Sequence, residues 1–267
     1  MISTMKKIIL VIVLFIVSQL VGSVIGSAAI ILPQLITDGQ IDTSKVMELY
    51  SENLGSITIL SLIISQILLI IVFRAMKLFG IMDLATKIQL KILVVIVLFI
   101  LSSLFALDLI NSLLKLPDNN EWLFKEMSGS VYIIIPIAFL GPIVEEIVFR
   151  KVIVQEFLNM SLKPYMAILL SALLFGLIHM NPAQMVFAFA AGLIFGWIYL
   201  KTGSILPGII GHIINNTIGI IELRSSENFQ IVDQASHFLT QPLFLTAFIG
   251  SLILSLSMVA YINRYYK

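Results

Sequence analysis

The chain has 267 residues, 59% of them hydrophobic and 12% charged, with a mean hydropathy of +1.07. Soluble domains carry about 25% charged residues, so a water-facing surface is excluded over most of this molecule. A net charge of +1 gives no electrostatic basis for a nucleic-acid partner. The absence of cysteine excludes disulfides, thiolate catalysis and cysteine-ligated metal.

In chain order, apolar runs near the length that crosses hydrocarbon fall at about 8–32, 56–73, 92–114, 131–149, 165–180, 184–200, 205–221 and 243–262. The first follows a basic start, Lys6-Lys7, and runs on to Leu35, long for the core of a signal peptide. We therefore expect it to be an uncleaved span. Turn-forming pairs separate the runs, among them Lys163-Pro164, Asn181-Pro182, Thr202-Gly203 and Gln241-Pro242. Gly22/Gly26 and Gly192/Gly196 have the spacing that lets membrane helices approach closely. The expected fold class is all-α, a polytopic membrane protein of eight transmembrane helices. It forms one integral membrane domain over residues 1–267.

Basic residues set the orientation. With the N-terminus inside, only Lys45, Lys115, Lys125 and Arg224 fall in outer gaps, and the other twelve of the sixteen lysines and arginines lie in or beside the cytoplasm. The outer gaps are acidic, carrying Asp42, Glu48, Asp118 and Glu121 among others. Eight spans place both termini in the cytoplasm, and the expected location is the plasma membrane.

Ionisable groups inside a span cost about 2.5–3.5 kcal/mol each on insertion scales, so each is a functional candidate. Apart from Asp108, which could pair with Lys115 or line the cavity, they gather in the second half of the chain. The fourth span carries Glu145, Glu146 and Arg150. Glu146 and Arg150 are i,i+4, share a face and can pair, while Glu145 points about 100° away and stays free to act. Snorkelling at a span end accounts for Arg150 and Lys151 but poorly for two adjacent glutamates. Phe175 and His179 are i,i+4 in the fifth span, where a histidine beside Asn181-Pro182 could equally cap a helix. His212 and Asn216 share one face of the seventh, with Gly208 and Gly211 admitting a close neighbour. His237, in the last outer gap, reads as surface. No GxSxG or HExxH pattern occurs.

Together these groups are the parts of a hydrolytic site. A carboxylate can deprotonate water and histidine can share that work. Asn and His can donate to a tetrahedral oxyanion. Glu with two His is also a zinc set with an open position.

The motifs Glu145-Glu146-x-x-x-Arg150, Phe175-x-x-x-His179 and His212-x-x-x-Asn216, in that order, resemble those of the CPBP family. These are the CAAX proteases and bacteriocin-processing enzymes, formerly the Abi family. The resemblance covers about residues 130–220, and the motif-bearing core is expected at about 130–221. It implies an intramembrane endopeptidase with its active site in the core of the helix bundle. Glu145 would activate water with His179 beside it, Arg150 would orient Glu146, and His212 and Asn216 would stabilise the oxyanion. It implies zinc held by Glu145, His179 and His212, or a metal-free glutamate mechanism. The expected partners are membrane lipids and a peptide or lipid-modified peptide substrate. Two other readings stand beside this one: a non-proteolytic immunity or regulatory protein on the same scaffold, and a transporter using the acids as a proton relay. Depth along the helices puts Glu145 mid-span only if the fourth span continues toward Leu158, and it puts His179 near the outer end of the fifth.

Overall fold

A computed structural model describes residues 2–38, 42–80, 83, 88–225 and 242–266. His237 lies outside them. Every regular element among the described residues is helical. The protein is an all-α, polytopic membrane protein. Its helices are α1 (Ile2–Asp38), α2 (Thr43–Glu52), α3 (Leu54–Ala75), α4 (Leu90–Leu114), α5 (Glu121–Ser128), α6 (Val131–Asn159), α7 (Pro164–Leu177), α8 (Pro182–Thr202), α9 (Leu206–Ser225) and α10 (Pro242–Tyr265).

Seven of these, α1, α3, α4, α6, α8, α9 and α10, are long and apolar enough to cross a membrane. The eighth expected span, α7, has 14 residues, about 21 Å at 1.5 Å per residue against a hydrocarbon layer of about 30 Å. Pro164 fixes its start and the turn into Asn181-Pro182 its end, so the expected run to residue 180 is cut short. That shortness accounts for the depth of His179: it follows a helix too short to carry it across an upright span. The fourth span goes the other way. α6 continues to Asn159 and places Glu145 midway along. α2 and α5 occupy gaps between the apolar runs. α2 begins at Asp42, whose carboxylate accepts from the Ser44 amide at 2.8 Å.

The small-residue spacings do what the sequence requires of them. A β-carbon at Gly22 or Gly26 would sit 2.4 or 2.3 Å from Ser61 of α3, and one at Gly196 would sit 2.8 Å from Ile168 of α7. α10 joins α4 through Ser255, 2.9 Å from Ser102 and 3.1 Å from Ser103. At one end of the bundle, Lys7 pairs with Glu156 and Lys151 with Asp83 at 2.6 Å. These are the ends expected to share the cytoplasmic side. Burial raises the Asp83 carboxyl, but the Lys151 hydrogen bond and charge and the Gly80 amide outweigh it, holding the group below the ordinary aspartate value. The lateral surface is apolar: Leu20, Val24 and Ile36 of α1 are 63%, 69% and 77% exposed, as lipid-facing side chains are.

The candidate active site

The polar cluster is built on α6, whose winding is irregular for a local reason. Its stretches Ile135–Leu140 and Glu146–Val154 are π-helical. The Gly141 amide reaches back to the Pro136 carbonyl, and Pro142 has no N–H to give. The Ile137 carbonyl thereby loses both donors that could reach it along the helix. Asn216 of α9 supplies the replacement, donating from Nδ2 at 2.9 Å. In the second π stretch, the Phe149 carbonyl accepts from Ser171 of α7 at 2.8 Å. Single-turn π segments are frequent at functional sites.

Glu146 and Arg150 are each 1% exposed, with Arg150 Nη1 3.1 Å from Glu146 Oε1. The pairing expected from their spacing forms in the core. It is held by charge and shape more than by aligned hydrogen bonds. The guanidinium lies between two rings, 4.3 Å from the centroid of Phe175 and 5.1 Å from that of Phe195. Phe195 then stacks on His212 at 5.2 Å and 24°.

His212, 8% exposed, is set between the two carboxylates. Its Nε2 is 3.6 Å from Glu145 Oε2 and its Nδ1 is 3.8 Å from Glu146 Oε1. These are contacts rather than hydrogen bonds, of the kind that tighten when a substrate binds. Glu145 keeps about a fifth of its side chain exposed, 21% against 1% for Glu146. Of the two acids, Glu145 is the one open to an incoming molecule.

His179 joins this cluster indirectly. Its Nδ1 lies 2.8 Å from the Phe175 carbonyl. A carbonyl can only accept, so Nδ1 carries the proton of this contact. The Phe175 ring touches both imidazoles edge-on, at 5.1 Å for His179 and 6.2 Å for His212. The turn after His179 is anchored by Asn181, which is fully buried. Its amide donates to Asp118 Oδ1 at 2.7 Å and its carbonyl accepts from the Asn119 amide at 3.2 Å. Asp108 stays on the exposed face of α4 and forms no ion pair with Lys115 among the described residues.

The expected zinc set meets this geometry only in part. Glu145 and His212 are spaced much as two tetrahedral ligands at about 2.0–2.1 Å from zinc would be. His179 does not complete the set. Among the described residues no three His, Asp or Glu side chains are grouped to hold a metal ion. As placed, the residues do not fit a three-ligand zinc site, and no step below passes through a metal.

Sequence reasoning missed Phe195 and Ser171, which read as ordinary packing residues, and the π-winding of α6, for which Pro136 and Pro142 were the only signals. Gly208 was expected to admit a neighbour, and that neighbour is Glu146. A β-carbon at Gly208 would be 2.7 Å from Glu146 Oε2. Gly208→Ala is expected to destabilise the protein by about 1–3 kcal/mol, the usual cost of overpacking, read as a lower melting temperature in detergent. Asn216→Ala removes the donor to the Ile137 carbonyl and is expected to cost about 1 kcal/mol. Asn216→Asp does not rescue it, because a carboxylate has no N–H; thermal unfolding of the two variants checks this.

The fold and cluster define a class: a helical membrane protein whose ionisable side chains converge on an irregular helix inside the bundle. Residues 127–218, the segment carrying the cluster, match the family described as type II CAAX prenyl endopeptidase Rce1-like. Through this segment the chain is similar to the CAAX protease family. It is also 28% identical over 113 residues to the "Putative membrane peptidase YdiL" of Bacillus subtilis (strain 168), a match covering 42% of this chain and 46% of that relative. The match thus spans about half the length of the relative. No solved structure matches.

Proposed function

We propose that the chain is an intramembrane endopeptidase that hydrolyses a peptide bond in a hydrophobic, membrane-associated or lipid-modified peptide. The observation that carries this is the approach of Glu145 to His212, at 3.6 Å and midway along a spanning helix. A carboxylate with one side open and an imidazole on the other is suited to activating water where bulk water is scarce.

In this reading Glu145 takes a proton from water as the water oxygen bonds to the scissile carbonyl carbon. The negative charge passes to the carbonyl oxygen, which accepts from His212 and from the second N–H of Asn216, the first being held by Ile137. Glu145 then returns its proton to the amide nitrogen and the C–N bond breaks. The products are a carboxylic acid and an amine, and transfer of the remaining water proton between them leaves a carboxylate and an ammonium. His179 would share the proton transfer with Glu145. Glu146 and Arg150 form a neutral base that fixes His212. The site sits in the plasma membrane with both termini cytoplasmic, following the lysine and arginine distribution.

The test uses full-length protein reconstituted in liposomes. Its substrates are two quenched-fluorescent peptide pools, one of plain apolar decapeptides and one ending in a farnesylated cysteine motif. Mass spectrometry of the products is expected to show a single internal cut in one pool or both. A preparation that folds but cuts neither overturns the reading and leaves the immunity or regulatory role. Metal analysis of the same preparation tests the zinc that the resemblance implies.

A further inference from the structure

Gln66 lies on α3, outside the segment that matches the protease family, yet it reaches the π-wound turn below Glu145. It is 7% exposed, deep for an uncharged amide among apolar neighbours. Its Nε2 donates to the Pro136 carbonyl at 3.1 Å. That contact fixes which end of the amide is nitrogen, since two acceptors cannot face each other. Its Oε1 is fully buried and has no partner among the described residues.

The place of this orphan acceptor is informative. A β-carbon built at Gly141 would stand 2.8 Å from the Pro136 carbonyl oxygen, 3.4 Å from Gln66 Nε2 and 3.8 Å from Glu145 Oε1, so the glycine lets the Gln66 amide and the Glu145 carboxylate approach the same point. Glu145 presents its other oxygen, Oε2, to His212. The Glu145 oxygen that His212 leaves free is therefore the one on the Gln66 side. A buried water needs two to four polar partners, and a water between the two side chains would have Gln66 Oε1 and Glu145 Oε1 as acceptors, one for each of its hydrogens.

We propose that Gln66 Oε1 is the second acceptor for the attacking water and holds it against Glu145. The inference rests on the protease reading above. One water hydrogen goes to Glu145 Oε1, which takes the proton. The other is held by Gln66, which neither gains nor loses a proton. With both hydrogens engaged, a lone pair on the water oxygen is directed away from the pair of acceptors, toward the substrate carbonyl carbon.

Two variants test this in the liposome assay, with Glu145→Gln run beside them. Gln66→Met keeps the bulk and removes the acceptor; kcat is expected to fall by about 100-fold, the scale of a misplaced reactant, with KM within about twofold. Gln66→Glu restores the missing pattern only when its introduced carboxyl is protonated, because then one oxygen donates to Pro136 and the other accepts. Its activity relative to wild type is expected to rise as pH falls. Wild-type kcat in Gln66→Met overturns the proposal. So does a loss in both variants at every pH that follows their melting temperatures, because that is the signature of an anchor for Pro136 alone. If Glu145→Gln cuts at the wild-type rate, or wild-type protein cuts neither pool, the protease reading itself fails and this proposal falls with it.

Discussion

Glu145→Gln is expected to lower peptide cleavage by about 10²- to 10⁴-fold, the range over which a positioned general base accelerates proton transfer, with little change in melting temperature. The substitution keeps shape and volume but leaves a group that cannot take a proton from water. The glutamate is partly open and makes no aligned hydrogen bond to His212, so folding loses little with its charge. Kinetics in liposomes and thermal unfolding in detergent, measured on the same preparation, separate the two effects. Cleavage at the wild-type rate would remove Glu145 from the chemistry.

Arg150→Met has the opposite signature. It leaves Glu146 1% exposed and without its cation, a defect that typically costs 3–5 kcal/mol. The guanidinium also fills the space between Phe175 and Phe195, and Phe195 supports His212. Stability and activity are therefore expected to fall together, with loss of folded protein in detergent as the first sign. The double variant Arg150→Met, Glu146→Gln removes the stranded carboxyl and is expected to recover much of the stability. Arg150→Lys is expected to recover less, because an ammonium cannot present a flat face to two rings. A melting temperature unchanged in Arg150→Met would show that the pair contributes nothing.

Helix positions were legible because long apolar runs in a membrane protein have few alternatives. The Glu146–Arg150 pair was legible because i,i+4 contacts are set within one helix. The meeting of Glu145 with His212 was an expectation of parts rather than of distance: the two residues are 67 positions apart in the chain, and the crossing of α6 and α9 is decided by packing. The role given to His179 shows the limit. Its place beside Phe175 follows from the i,i+4 spacing, but spacing within the motif says nothing of which atom its Nδ1 will face. Asn216 was read as an oxyanion donor from residue type alone. The Ile137 carbonyl that occupies one of its hydrogens exists because Pro142 withholds an N–H at one register of an irregular helix. Phe195 and Gln66 could not be singled out, since their importance comes entirely from which helices lie across from them.

The brevity of α7 reaches beyond the protein. Tyr165, Leu169, Leu173 and Leu177 recur every four residues along it and are all exposed, so this wall meets acyl chains directly. Lipids beside it are offered about 21 Å of oily height, and the surrounding leaflets must pinch to meet it, at a fraction of a kcal/mol per Å. Headgroups and their water are thereby drawn down toward His179. Bilayers of short-chain lipids relieve the deformation and long-chain lipids aggravate it, making membrane thickness a control on how the site is wetted.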